Sequence, residues 1–308
     1  MLRFPSRTLS GIAISVCVVL ALSACGSDSK SPKSASGKLA VVAAEDFWGS
    51  IATQLGGNRV SVTSLITNPD TDPHDYEPTP GDGREIASAK YVIVNGIGYD
   101  GWADTLLSAN PVSGRAMTKV GDLVGLKEGD NPHQWYSPDT VEKVITAITA
   151  EYKKLRPADA DYFDQQHDAF ESTGLADYHA VINDIKAKYA GTPVGASESI
   201  FAPLSAALGL DLVTPESFLD AIAEGNDPTA ADKATVDEQI ASKAIKVFVF
   251  NSQNSTPDVQ RLVNAAKAKA IGVATVTETL TPEGATFQAW QTAELRALEA
   301  ALATATGK

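Results

Sequence analysis

The chain has 308 residues, 44% of them apolar, which is enough for two lobes of ordinary domain size with buried cores. Its formal charge of −13 argues against nucleic acid or an anionic membrane surface as a partner and is compatible with collecting cations. Solubility accounts for an acidic balance equally well, so charge alone does not choose a function.

Arg3 and Arg7 open the chain, Ile12 to Leu22 form an apolar run, and Leu22-Ser23-Ala24-Cys25 closes it with small residues before a cysteine. This pattern resembles a bacterial lipoprotein signal, with residues 1–24 expected to be removed. The apolar run is shorter than the about 20 residues that span a bilayer. An ordinary secretory signal cut near Ala24 competes with this reading, but lipid attachment better accounts for a cysteine at the new N-terminus. Cys17 falls in the removed part, so the mature chain keeps one cysteine and no internal disulfide is expected. Residues 26–37 carry no large apolar group, and the stretch 25–37 reads as a tether.

Leu39 to Ala44 reads as a buried strand, and Phe47, Trp48, Ile51 and Leu55 then recur at helical spacing up to Gly56-Gly57. Val60 to Ile66 is a second strand, Thr79-Pro80 a helix start with a cap and a proline at the first position, and Tyr91 to Val94 a third strand. Ser137-Pro138 opens another helix, whose face is Val141, Val144, Ile145, Ile148, Tyr152 and Leu155. Past Pro157, apolar positions from Tyr162 to Tyr189 predict one helix of roughly 30 residues, about 45 Å long. Gly174, in its middle, is where such a helix could break. The second half repeats the alternation. Strands are predicted at 192–196, 210–214, 246–250 and 273–277, and helices near 200–208, 229–243, 257–270 and 286–303. The βαβ order predicts an α/β fold: two lobes, 38–156 and 191–308, each with a mainly parallel sheet flanked by helices. The helical segment 157–190 lies between them.

Two loops carry the chemistry. In Asn68 to Pro80, four prolines hold a short segment out of helix and central strand, so that His74 sits on a stiff loop. His133 sits in a second proline-bracketed loop, Asn131-Pro132-His133-Gln134-Trp135-Tyr136-Ser137-Pro138. Asp72-Pro73-His74-Asp75-Tyr76-Glu77-Pro78-Thr79, Asn131 to Trp135, and the glycine-containing turn Val94 to Trp102 together resemble the metal-binding solute receptors of bacterial ABC transporters, the zinc and manganese branch. The resemblance covers nearly all the chain after residue 38. It implies that the long helix joins two lobes and limits their opening.

In open parallel sheets, ligands gather beyond the carboxyl ends of the strands, a rule that selects Glu198 and Glu278. Each falls where the resembled family places a ligand. The family's third ligand is histidine in many zinc receptors and glutamate in many manganese receptors, and Glu198 matches the latter. Its fourth is usually aspartate, so Glu278 is a departure that needs a receded backbone or another coordination mode. The competing role for both glutamates is to cap or flank the helices that follow. His167 and His179 fall within the long helix and read as solvated or packed residues. The implied metal set is His74, His133, Glu198 and Glu278.

Two neutral imidazoles and two carboxylates neutralise a divalent cation, and the lack of thiolate suits borderline or hard ions. Zinc would take the four as a tetrahedron, manganese with carboxylates bidentate. The absence of a third histidine, and of a histidine-rich insertion between Val120 and His133, tilts the reading towards manganese. The resulting expectation is a non-enzymatic, monomeric receptor, lipid-anchored at Cys25 outside the cytoplasmic membrane. It would take manganese or zinc as cargo, use no cofactor and pass the ion to an ABC permease. A metal-dependent hydrolase, a surface adhesion lipoprotein and an organic ligand between the lobes are the competing readings.

Overall fold

The computed structural model describes residues 37–68, 71 and 76–308; the signal segment, Cys25 and His74 lie outside the described residues. β1 (Leu39–Glu45), β2 (Val60–Ile66), β3 (Tyr91–Val94) and β4 (Ala116–Lys119) form one sheet in the order β2-β1-β3-β4. β5 (Pro193–Ala196), β6 (Asp211–Leu212), β7 (Val247–Asn251) and β8 (Gly272–Val276) form the other, in the order β6-β5-β7-β8. Every neighbouring pair is parallel, so the two sheets share one topology. The central strands β1, β3, β5 and β7 are almost wholly buried, as expected for parallel strands covered on both faces.

The two caps read from the sequence start their helices: Thr79 builds a reciprocal capping box with Asp82 ahead of Pro80–Ser88, and Ser137 accepts the Thr140 N–H. Thr229 and Thr256 likewise each accept a backbone N–H of the first turn of their helices. β4 is a strand the sequence did not announce: Ala-Met-Thr-Lys has no apolar run, and it sits at the sheet edge with no fully buried residue. β6 is shorter than the predicted 210–214, reduced to two residues at the opposite kind of edge. Among the described residues, no helix is long and apolar enough to cross a membrane.

The connecting segment is helical over the predicted length but is not uniform. Ala160–Ala169 is α-helical, Phe170–Gly174 is a π turn closed by the Leu175 N–H on the Phe170 carbonyl at 2.8 Å, and Ala176–Tyr189 is α-helical again. A Cβ on Gly174 would lie 2.9 Å from the Phe170 ring, so the tight turn is seated on that side chain. The first half packs on the helices of the β1–β4 lobe and the second half on those of the β5–β8 lobe. A continuous apolar core runs through both lobes, and aromatic rings line the junction: Phe47 stacks on Trp135 at 4.1 Å, and Tyr136 meets Trp290 at 5.8 Å.

The helix Asp46–Gly56 follows β1 and lies tight against β2. A Cβ at Gly56 would sit 1.9 and 2.8 Å from the two methyls of Val60, which is buried at the start of β2. In an open helix Gly→Ala gains up to about 1 kcal/mol. Here the sign reverses, because a β-branched neighbour cannot swing away. Gly56→Ala is expected to destabilise the chain by about 1–3 kcal/mol, read as a lower denaturation midpoint in urea.

Candidate metal centre

Glu198 lies two residues beyond β5, Glu278 two residues beyond β8, and Asn251 closes β7. His133 comes from the other lobe, in the loop between the helix Val120–Val124 and the 3-10 turn Gln134–Tyr136. One ligand atom from each of His133, Glu198 and Glu278 lies within 4.8 Å of the other two. All three residues are buried, at 1, 1 and 7% exposure. The structure therefore brings together three of the four residues singled out by sequence; His74 is outside the described residues. Beside that segment, the Tyr76 hydroxyl donates to Asp82 at 2.9 Å and its ring meets Trp102 edge-on.

Neither glutamate acts as a helix cap. Glu198 precedes the short 3-10 turn Ser199–Phe201 without a side-chain cap bond, and the next helix after Glu278 begins at Phe287 under Thr286. Their partners are side-chain donors instead. The Asn251 amide nitrogen donates to Glu198 Oε1 at 2.7 Å and to Glu278 Oε1 at 2.9 Å. Asn254 donates to Glu198 Oε2 at 2.7 Å, and the Tyr99 hydroxyl donates to Glu278 Oε2 at 2.8 Å. The backbone N–H of Glu278 is held by Gln253 Oε1. These neutral donors orient the carboxylates.

The tautomer of His133 follows from its neighbour. Asn131 Nδ2 donates to the Ser199 carbonyl at 2.7 Å, so Asn131 Oδ1 is the oxygen facing the imidazole, 2.9 Å from Nδ1. An amide oxygen only accepts, hence Nδ1 carries the hydrogen and Nε2 is the basic nitrogen. This is the outer-shell hydrogen bond that orients a ligating histidine. It also ties the His133 loop to the residue after Glu198. Sequence reasoning did not assign roles to Asn251, Asn254, Tyr99 or Asn131. The strand-end rule, applied to every strand, would have reached Asn251.

Tyr136, three residues past His133, locks the two lobes together. Its hydroxyl lies 2.8 Å from the Thr277 carbonyl, 3.2 Å from the Thr277 N–H and 2.5 Å from Glu294 Oε2. One hydroxyl hydrogen cannot serve both the carbonyl and the carboxyl oxygen. A protonated Glu294 resolves the count by donating to Tyr136, while its Oε1 accepts from Trp290 at 2.9 Å and from Thr277 at 2.9 Å. Burial accordingly pushes Glu294 up to about 8. Asp46, which accepts the Leu280 N–H across the same junction, is pushed by burial to about 7.

A cleft of about 580 Å³ runs from His133 and Asn131 to the surface between the lobes. Glu128, Asp130, Glu216, Asp220 and Glu224 stand in its wall, and no lysine or arginine among the described residues does. Asp220 is raised by partial burial and by Glu216 and Glu224, the mark of crowded negative charge.

A family model described as "ZnuA: Zinc-uptake complex component A periplasmic" matches residues 41–301. The manganese-binding lipoprotein MntA of Bacillus subtilis is 32% identical over 151 residues, 46% of this chain and 48% of that protein, so the match spans about half its length. The manganese ABC transporter substrate-binding lipoprotein PsaA of Streptococcus pneumoniae is 26% identical over 268 residues, 82% of this chain and 84% of that protein. The periplasmic zinc-binding protein TroA of Treponema pallidum superposes with a TM-score of 0.70 over 86% of this chain and 99% of its own, at 20% identity, a likeness of fold.

The pH dependence of stability tests the reading of Glu294. Its folded value near 8 stands above an ordinary 4.5, so across that window the folded state holds a proton the unfolded state has lost. Stability from this group is therefore greatest at low pH, falls as pH rises from about 4.5 to about 8, by up to about 1.4 kcal/mol per unit, and levels off beyond. Glu294→Gln keeps the hydrogen bonds of the neutral acid. It is expected to flatten that part of the profile in urea denaturation measured at successive pH values.

Proposed function

The chain belongs to the ZnuA family of periplasmic zinc-uptake components, and we propose that it is an extracytoplasmic receptor that captures a divalent transition-metal ion between its lobes and delivers it to an ABC permease. That family is one of metal-binding solute receptors, not of enzymes. The observation that carries the proposal is the convergence of His133, Glu198 and Glu278 at the buried junction, with one ligand atom from each within 4.8 Å of the others. His74, from its proline-stiffened loop, is the proposed fourth ligand.

In this reading the lobe of residues 38–156 supplies the imidazoles and the lobe of residues 191–308 the carboxylates. Asn131 presents His133 as a ready lone pair, and Asn251, Asn254 and Tyr99 hold the carboxylate oxygens in place. A cation is drawn in through the acidic cleft, where charge of one sign between low-dielectric walls raises its local concentration. Binding then turns carboxylate repulsion into attraction and favours the closed lobes, which the permease recognises. The lipoprotein-like start supports anchoring through Cys25 to the outer face of the cytoplasmic membrane.

The donor set supports manganese over zinc as cargo. Two carboxylates can each give a second oxygen and so raise the coordination number, while the site has no thiolate. Zinc would still bind more tightly on the general affinity order, so tightness does not identify the cargo.

Titration of the metal-free chain with manganese and with zinc tests this. One tight equivalent of each is expected, with loss of at least about a hundredfold in affinity for His133→Ala and Glu278→Ala. Manganese should leave on dilution and zinc far more slowly. Wild-type protein that binds neither ion tightly would remove the proposal. Asn131→Ala leaves all four proposed ligands in place, and is expected to lower affinity by about 10–100-fold through loss of the imidazole's orientation.

A further inference from the structure

Among the described residues, two groups of histidine and carboxylate side chains bring three ligand atoms within 4.8 Å of one another. One is the junction site. The other is Glu142, Glu171 and His179, none of them at a strand end. Glu142 projects from the helix Pro138–Leu155, Glu171 from the π turn Phe170–Gly174, and His179 from the helix Ala176–Tyr189. Three separate elements therefore supply one donor each.

We propose that Glu142, Glu171 and His179 form a second divalent-cation site, of the zinc class, that clamps the π turn of the connecting segment to the helix beneath it.

The chemistry of the donors supports a cation there. His179 Nε2 lies 3.4 Å from Glu142 Oε1, so an ion-binding nitrogen already faces the carboxylate. No described lysine or arginine forms an ion pair with Glu142 or Glu171, although ion pairs are common elsewhere on the surface. Glu171 Oε1 is closed off from solvent and has no hydrogen-bond donor among the described residues. Partial burial and the Glu142 carboxylate beside it push Glu171 up to about 7, the behaviour of two acids sharing one proton. A divalent ion replaces that proton with twice the charge.

A second feature, outside the carboxylate cluster, points the same way. Tyr178 is 1% exposed, and its hydroxyl has no hydrogen-bond partner among the described residues. It is held neutral by burial and by the negative charge of Glu142 and then Asp139. Its ring meets that of His179 edge-on at 5.4 Å, so a buried hydroxyl without a partner among the described residues stands beside the cluster, where it could bond a water on an ion held there. Two carboxylates and one imidazole, with side chains of Glu142 and His179 42 and 38% exposed, leave a fourth tetrahedral position open to such a water.

The π turn explains why these residues meet. The extra residue it inserts rotates the chain after Gly174 relative to the chain before it, so Glu171 and His179, eight residues apart, converge on the same helix. In a uniform α-helix, positions 171 and 179 would be turned about 80° from one another around the axis, and the extra residue of the π turn brings them back towards one face.

The test is zinc binding to the full chain, by equilibrium dialysis and by anomalous scattering from crystals grown with zinc. Wild type is expected to bind a second, weaker equivalent, with a zinc peak between Glu142, Glu171 and His179. His179→Ala and, separately, Glu171→Gln should lose that equivalent or weaken it at least about tenfold while keeping the junction site. His133→Ala should do the reverse, so failure at one site is read apart from failure at the other. Unchanged zinc isotherms in both His179→Ala and Glu171→Gln, or crystals with no zinc peak at this cluster, would overturn the proposal.

Discussion

The two hydrogens of the Asn251 amide point at two different carboxylates, Glu198 and Glu278, at 2.7 and 2.9 Å. This arrangement holds two acids side by side in a place from which water is largely excluded. Were both ionised, two charges about 4 Å apart would repel by on the order of 4 kcal/mol at an effective dielectric of about 20. Amide and hydroxyl donors reduce the cost of burying each carboxylate but bring no positive charge of their own. A cation held between the two carboxylates would turn that repulsion into attraction, and much of the surrounding hydrogen bonding serves to keep the two acids at this point.

The shared topology of the two sheets shows how one layout produces two different jobs. β1 and β3 correspond to β5 and β7, and an asparagine follows or ends the second strand of each pair, Asn95 and Asn251. Asn95 accepts from Trp48 and donates to the Pro132 carbonyl, so it positions the His133 loop. Asn251 positions the carboxylates. The acids differ more sharply. At the end of β1, Glu45 is fully buried, and burial together with Asp100 raises it well above the usual carboxylate range. That acid is held as a neutral structural group, whereas Glu198 at the end of β5 faces two amide donors and the opposite lobe.

How much of this could be read from residues alone depends on the kind of signal each part leaves. Apolar runs announced the buried strands, cap-plus-proline pairs announced helix starts, and the strand-end rule reached Glu198 and Glu278. β4 and β6 escaped or shrank because edge strands need no continuous apolar run. The π turn was visible only as Gly174, since one extra residue in a helix changes no periodicity strongly enough to register. Asn131, Asn251, Asn254 and Tyr99 were silent for a different reason: a hydrogen-bond donor to a carboxylate has no fixed spacing from its acceptor. Asn251 and Glu198 are 53 residues apart, and Tyr99 and Glu278 are 179 apart.

The contacts across the junction also limit how the lobes can part. Tyr136 binds both backbone groups of Thr277, one residue before Glu278, and Asn131 binds Ser199, one residue after Glu198. Gln54 and Gln288 exchange a reciprocal pair of amide hydrogen bonds farther along the same face. Three of the four candidate ligands thus stand within a few bonds of a cross-lobe tie. A large hinge opening would break all of these ties at once, while a small shift at the cleft mouth would leave Tyr136 and the Gln54–Gln288 pair intact. The second motion costs fewer hydrogen bonds, and in either one Asn95 holds the His133 loop through the Pro132 carbonyl.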